Sequence, residues 1–206
     1  LVTSGISRIP LDRLVRSIVR AGADAIQLRE KDLDDRRLHR LAGRLCRIAH
    51  DGGALFIVND RADLALAVDA DGVHGGETDL PTKALRDLLG PERLVGATSH
   101  RWTEAIAAQR AGADYVSVGP VFDTALKPHL SAAGLACVRR AKAETRRGSL
   151  RIPFVAIGGI TPANARAARR AGATHVAVCR AVGSAPDPAG VVRRLKSAVP
   201  LFPRGH

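Results

Sequence analysis

A short motif returns four times along this chain and constrains its fold more than any other feature. Ala21-Gly-Ala-Asp-Ala-Ile-Gln-Leu28 reappears as Val68-Asp-Ala-Asp-Gly-Val-His74, as Ala111-Gly-Ala-Asp-Tyr-Val-Ser-Val118 and as Ala171-Gly-Ala-Thr-His-Val-Ala-Val178. Each copy reads as a helix end, a tight turn of small residues and a short apolar strand. Glycine just past a helix adopts the left-handed conformation that stops it. The copies are separated by roughly 45 to 60 residues, room for two βα units rather than one. The intervening strands are apolar runs rich in Val, Ile and Phe: Leu55-Phe-Ile-Val58, Leu94-Val-Gly96 and Pro153-Phe-Val-Ala-Ile157. A brief Val2-Thr3 segment completes the set. Helical patterns at Leu33–Ala49, Arg61–Ala67, Thr82–Leu89, Trp102–Ala111, Ala132–Thr145, Pro162–Ala171 and Pro188–Ala198 separate the strands. This alternation predicts an α/β fold, a single-domain (β/α)8 TIM barrel over residues 1–206. An open doubly wound sheet is the other arrangement it allows.

Of the 206 residues, 46% are apolar, enough for a core. No uncharged apolar run reaches the ~18 residues a membrane span needs. Leu1 to Ile9 is too short and mixed for a secretory signal. Cys46, Cys137 and Cys179 are odd in number and lack Cys-x-x-Cys spacing, so the expectation is a reducing, cytoplasmic setting without disulfides or structural zinc. The net charge of +12 permits a nucleic-acid partner or phosphorylated small molecules. Its arginines are scattered along helices, as in Arg13, Arg16, Arg20 and Arg36, Arg37, Arg40, Arg44, Arg47, and only 3% of residues are aromatic. That pattern argues for a solvated basic face and against base stacking.

In a barrel the chemistry sits at the C-terminal ends of the strands. Gln27, Arg29 and Lys31 alternate and share one face of an extended chain, an amide and two cations suited to a polyanion. Asn59-Asp60 follows the next strand, and Asp79 follows the one after. Each carboxylate alone reads equally as a helix cap; two from adjacent strand ends beside cations form a plausible Mg²⁺ site. Thr98 and His100 offer a hydroxyl and an imidazole, the latter as general base or scaffold. Thr124 and Lys127 add a hydroxyl and a cation, whereas His129 reads as a loop residue. Ile157-Gly-Gly-Ile-Thr-Pro162 exposes backbone N–H groups where this fold often holds a phosphate. Two phosphorylated substrates would use both regions.

Taken in order, Gln27–Lys31, Asn59–Arg61, Asp71-Gly-Val-His74 through Asp79-Leu-Pro81, Gly119-Pro-Val-Phe-Asp-Thr124 and Ala156-Ile-Gly-Gly-Ile160 resemble the thiamine phosphate synthase and thiazole tautomerase family. The resemblance spans nearly the whole chain. It implies that an aminopyrimidine methyl diphosphate loses pyrophosphate to leave a stabilised cation, which the nitrogen of a thiazole phosphate attacks. It further implies that Gln27, Arg29, Lys31, Asn59 and Lys127 hold the pyrimidine diphosphate, with Arg29, Lys31 and Lys127 as the catalytic cations. Asp60 and Asp79 would bind Mg²⁺, and Thr98 would touch the departing pyrophosphate. Thr124, Gly159, Cys179 and Arg180 would hold the thiazole phosphate.

Three departures accompany the resemblance. Asp123-Thr-Ala-Leu-Lys127 stands where the synthase usually has Pro-Thr-x-Thr-Lys, so Leu126 removes a hydroxyl. Arg180 replaces a common serine, and Gly75-Gly-Glu-Thr78 replaces Leu-Gly-Gln-Glu. The tautomerase typically lacks the metal-binding carboxylates and uses a histidine where this chain has Pro120; retained Asn59, Asp60 and Asp79 favour the synthase. A non-catalytic phosphate-ligand sensor of the same fold is a third reading. A homo-oligomer is compatible with the sequence.

Overall fold

A computed structural model describes residue 3, residues 5–124 and residues 131–200. Among these, seven parallel strands form one sheet in sequential order: β1 (Ala25–Leu28), β2 (Leu55–Asn59), β3 (Gly72–Gly75), β4 (Leu94–Ser99), β5 (Tyr115–Val118), β6 (Phe154–Ile157) and β7 (His175–Ala177). The helices are α1 (Leu11–Arg20), α2 (Asp35–Asp51), α3 (Ala62–Ala67), α4 (Thr82–Leu89), α5 (Trp102–Arg110), α6 (Gly134–Arg146), α7 (Ala165–Ala171), α8 (Arg180–Gly183) and α9 (Pro188–Ala198). The eighth strand expected at Val2–Thr3 is not among them: Thr3 is not in a strand, and Val2 lies outside the described residues. A segment of two residues has too little ladder to be assigned as a strand by itself. The last helix nevertheless reaches the first, with α9 packed against both α1 and α7.

The repeat lands on every second strand, β1, β3, β5 and β7, as its spacing requires. Its turn position is left-handed in all four copies, with φ of 96° at Gly22, 53° at Asp69, 96° at Gly112 and 117° at Gly172. The repeat's aspartates stitch neighbouring strands at their N-terminal ends. Asp71 Oδ2 accepts the Phe56 N–H of β2 at 2.6 Å and His50 Nε2 at 2.8 Å. Asp114 Oδ2 accepts the Val95 N–H of β4 at 2.7 Å and an Arg86 guanidinium. Such charge-assisted bonds contribute roughly 1.5–3 kcal/mol each.

One face of each strand packs outward under the helices. Ile26, Leu28, Phe56, Val58, Val73, Val95, Val116 and Ala156 are buried there against amphipathic helices. On α1, Leu11, Leu14, Val15, Ile18 and Val19 face this layer, while Arg13, Arg16 and Arg20 are exposed. Burying one such large side chain stabilises by roughly 1.5–3 kcal/mol. Helix α2 starts two residues later than its pattern predicts because Asp34 caps it, accepting the Arg37 N–H at 2.8 Å. Helices α6 and α7 likewise begin later than expected, at Gly134 and Ala165, and the short α8 has no periodic signal long enough to read. Alternate residues on the opposite face carry polar groups inward: Gln27, Asn59, His74, Thr98, Tyr115 and Ser117.

Candidate active site

The inner face delivers its polar groups to the C-terminal strand ends. Register places Asn59 of β2 opposite His74 of β3, His74 opposite Gly96 of β4, and Gly96 opposite Tyr115 of β5. Gly96 has no side chain, and that absence decides what its row can hold. A Cβ there would come within 2.5 Å of His74 Nδ1 and closer still to the Tyr115 ring and hydroxyl. Through this gap Tyr115 reaches His74, with ring centroids 5.5 Å apart and Oη 3.2 Å from Nδ1. His74 Nε2 lies 3.1 Å from Thr98 Oγ1. Burial pushes that phenol up from its ordinary value, so it keeps its proton.

Above this row sit the charges. Lys31 Nζ lies 3.5 Å from Asp60 Oδ2. Asp79 Oδ2 accepts the Gly76 N–H at 2.8 Å, and the Asp60 and Asp79 carboxyls stand together beside Gly76. Desolvation, and then the neighbouring Asp79 carboxyl, push Asp60 up to about 6; Asp79 is held below the usual range by its hydrogen bond from Asp60, with the Gly76 N–H and the Lys31 and Arg29 charges adding to it. Two carboxyls set together in this way occupy a place suited to a dication. No group of three or more His, Cys, Asp or Glu side chains that could hold a metal occurs among the described residues. Two carboxylates, with the remaining positions left to water and phosphate oxygen, fit Mg²⁺ rather than a zinc site.

Neither aspartate is a helix cap. Helix α3 begins after Arg61 and α4 after Pro81, both without a side-chain cap. Asp60 instead takes a left-handed backbone, φ 65°, with its N–H on the His74 carbonyl at 2.9 Å, which turns its carboxyl toward Asp79. Arg61 points away, bonded to Asp63 and Asp35. Gly76 leaves room for the pair: a Cβ there would stand 2.6 Å from Asp79 Oδ2 and 3.9 Å from Asp60 Oδ1. Gly76→Ala is therefore expected to displace Asp79 and weaken divalent-cation affinity about tenfold with little change in melting temperature, as titration calorimetry would measure.

The second region forms where the loops after β5 and β6 meet. Phe122 N–H bonds the Gly158 carbonyl at 3.0 Å, bringing Phe122 and Asp123, the two residues before Thr124, beside the glycine pair. Gly158 and Gly159 have φ of 97° and 61°, and a Cβ on Gly159 would stand 2.5 Å from the Asp123 carbonyl. Asn164 clamps this loop, donating from Nδ2 to the Gly159 carbonyl at 2.9 Å and accepting the Thr161 N–H at 2.8 Å. Cys179 and Arg180 open α8 directly after β7. Arg29 links the two regions, since its charge acts on both Asp79 and Cys179. His100 Nδ1–H donates to the Gly119 carbonyl at 2.7 Å, as a scaffold residue would. Lys127, Leu126 and His129 lie outside the described residues. The sequence reading missed Tyr115, Gly96 and Asn164 and used His74 only within a motif; the His74–Tyr115 contact depends on strand register, which no local pattern announces.

An α/β enzyme with its polar site at the carboxyl ends of consecutive parallel strands is the class these features define. The chain belongs to the thiamine monophosphate synthase family, whose model it matches over residues 1–182. It is 46% identical over 191 residues to thiamine-phosphate synthase of Moorella thermoacetica, covering 92% of this chain and 89% of that one. It is 43% identical to thiamine-phosphate synthase of Prochlorococcus marinus over 95% of this chain, but spans only 54% of that longer relative. Thiamine phosphate pyrophosphorylase from Pyrococcus furiosus superposes with a TM-score of 0.86 at 35% identity, over 96% of this chain and 92% of the other. No helix among the described residues is long and apolar enough to cross a membrane.

Proposed function

We propose that this site joins 4-amino-2-methyl-5-hydroxymethylpyrimidine diphosphate to 4-methyl-5-(2-phosphoethyl)thiazole, or its carboxylate, giving thiamine phosphate and pyrophosphate. The convergence of Arg29 and Lys31 with the Asp60–Asp79 pair carries this reading, in a chain whose near-full-length relative bears that activity's name. In the same reading the chain is one (β/α)8 barrel domain over residues 1–206.

Asp60 and Asp79 would hold Mg²⁺, which neutralises the leaving diphosphate when bound. Arg29 and Lys31 add fixed positive charge to the same group, joined by Lys127 and by the Thr98 hydroxyl. Asn59 and Gln27 hold the pyrimidine. The bond from the methylene carbon to the diphosphate oxygen breaks with its electron pair leaving on oxygen. Electron donation from the aminopyrimidine ring stabilises the resulting cation. Thr124, Gly159, Cys179 and Arg180 hold the thiazole phosphate so that its ring nitrogen faces that carbon and forms the new C–N bond with its lone pair. No strong base is needed in this scheme.

The reading is tested by supplying both phosphorylated substrates and measuring thiamine phosphate by chromatography, with and without Mg²⁺. Product is expected with the metal and, after chelation, at roughly a hundredth of that rate or less. No product from folded protein with Mg²⁺ present would overturn the proposal.

A further inference from the structure

Away from the strand ends, the outer wall carries a second concentration of charge where α1 lies against α9. Between them the two helices hold six basic side chains and one acidic one, Asp12. That carboxylate is turned toward α2, where it accepts from the Arg44 guanidinium at 3.1 Å. The carboxylates that flank the helix pair are committed as well. Asp24 takes Lys196 at 2.7 Å, and Asp187 caps α9 through the Gly190 N–H, reaching Arg193 only at 4.0 Å. Arg13, Arg16 and Arg20 are all exposed, and none has a carboxylate partner among the described residues.

These three arginines and Arg193 line one depression of about 360 Å³, floored by Ser17 and two alanines. Positions 13, 16 and 20 follow helical spacing, so they stand in one row roughly 10 Å long. Arg193 meets that row from across the groove, on the second helix. The small floor residues let an oxygen-rich ligand settle between the arginines. Like charges gathered without counter-charge repel one another, and a bound anion removes that cost. A single phosphate engages one or two guanidiniums; a chain of linked phosphates engages both sides of the groove at once. The lining has no aromatic side chain on which a base could stack. A concave groove between two helices also suits a short flexible chain better than the rounded surface of a duplex.

We propose that the groove between α1 and α9 is an anion site for a short chain of linked phosphates, free or carried at the end of a small molecule. It is separate from the site at the strand ends. Arg13, Arg16 and Arg20 hold the chain from one side and Arg193 from the other, with the Ser17 hydroxyl as a further donor. The site needs no divalent cation, because four fixed cations already supply the neutralising charge. It reads no base or sugar, because the lining offers nothing that would recognise one. A ligand gripped from both helices binds the folded chain and not the unfolded one, so occupancy raises the melting temperature.

The test is titration calorimetry of metal-free protein with inorganic triphosphate, at an ionic strength of about 0.15 M. Wild type is expected to bind triphosphate at least about tenfold more tightly than inorganic phosphate, with ATP within about threefold of triphosphate. Arg29→Ala, which alters only the strand-end site, is expected to keep this binding. Arg16→Gln combined with Arg20→Gln is expected to weaken it by about tenfold or more. The double variant should melt no lower than wild type, since it removes unpaired like charge, so lost binding is not lost fold. Undiminished affinity in the double variant, or loss of binding in Arg29→Ala, would overturn the proposal. So would a rise in wild-type melting temperature that sodium chloride reproduces at equal ionic strength, which would reduce the effect to screening. ATP binding more than about tenfold tighter than triphosphate would show that a base is read, against the proposal. A DNA duplex that displaces triphosphate at a lower phosphate concentration would assign the groove to nucleic acid instead.

Discussion

Replacing Asp60 and Asp79 together by asparagine is expected to lower thiamine phosphate formation by at least about a thousandfold while leaving the chain folded. The reason is electrostatic. Diphosphate departure places negative charge at a spot where Lys31 and the aspartate pair already meet, and the pair is positioned to hold a dication there. Asparagine is the informative replacement because residue 60 has φ 65°, a conformation that asparagine tolerates and alanine does not. At position 79, asparagine can still accept the Gly76 N–H that fixes the loop. Folding should hold, since asparagine keeps the Gly76 contact and relieves the setting of one desolvated carboxyl against another. Steady-state rates with saturating Mg²⁺, read beside circular-dichroism melting curves, check both halves. Turnover within about tenfold of wild type would remove these residues from the metal site.

The second large effect is expected at Arg29. Its charge acts on both Asp79 and Cys179, one in each of the two regions proposed to hold the diphosphate and the thiazole phosphate. Arg29→Ala is expected to reduce kcat/KM for the pyrimidine diphosphate by roughly a hundredfold to a thousandfold, the usual cost of removing one donor aimed at developing charge. Arg29→Lys should recover only part of this, because a lysine supplies the charge without the planar fork that grips two phosphate oxygens at once. Equal activity of the lysine variant and wild type would show that Arg29 contributes charge alone. The substitution at Arg29 should leave the melting temperature nearly unchanged.

Much of this arrangement was legible in the order of residues, for reasons that can be named. The turn glycines and aspartates of the repeat are local signals, and they placed four strands and two βα units between successive copies. Gln27, Arg29 and Lys31 were readable because alternation along an extended chain needs no tertiary knowledge. The features that escaped reading depend on register. Whether Tyr115 reaches His74 depends on which residue of β4 stands between them, and a single glycine there carries no local signal. Asp60 read equally well as a cap or a ligand until its backbone torsion settled its direction. Asn164 precedes an alanine-rich helix, as many caps do, yet its amide spans the glycine loop and ties it closed. The eighth strand was inferred from periodicity with only two residues to support it, and the sheet of the described residues has seven strands.

Strand β3 has a carboxylate beyond each end, and the two are put to opposite uses. The strand is four residues long, about 13 Å at the usual rise per residue. Asp71 precedes it, saturated by a backbone N–H and an imidazole; beyond its far end lies Asp79, set against another carboxyl. One amino acid type is thus a rivet at one end of the strand and a charged trigger at the other. Directed evolution for heat tolerance and for new chemistry would draw on opposite rims of the same molecule, and gains made on one rim would carry across without undoing the other.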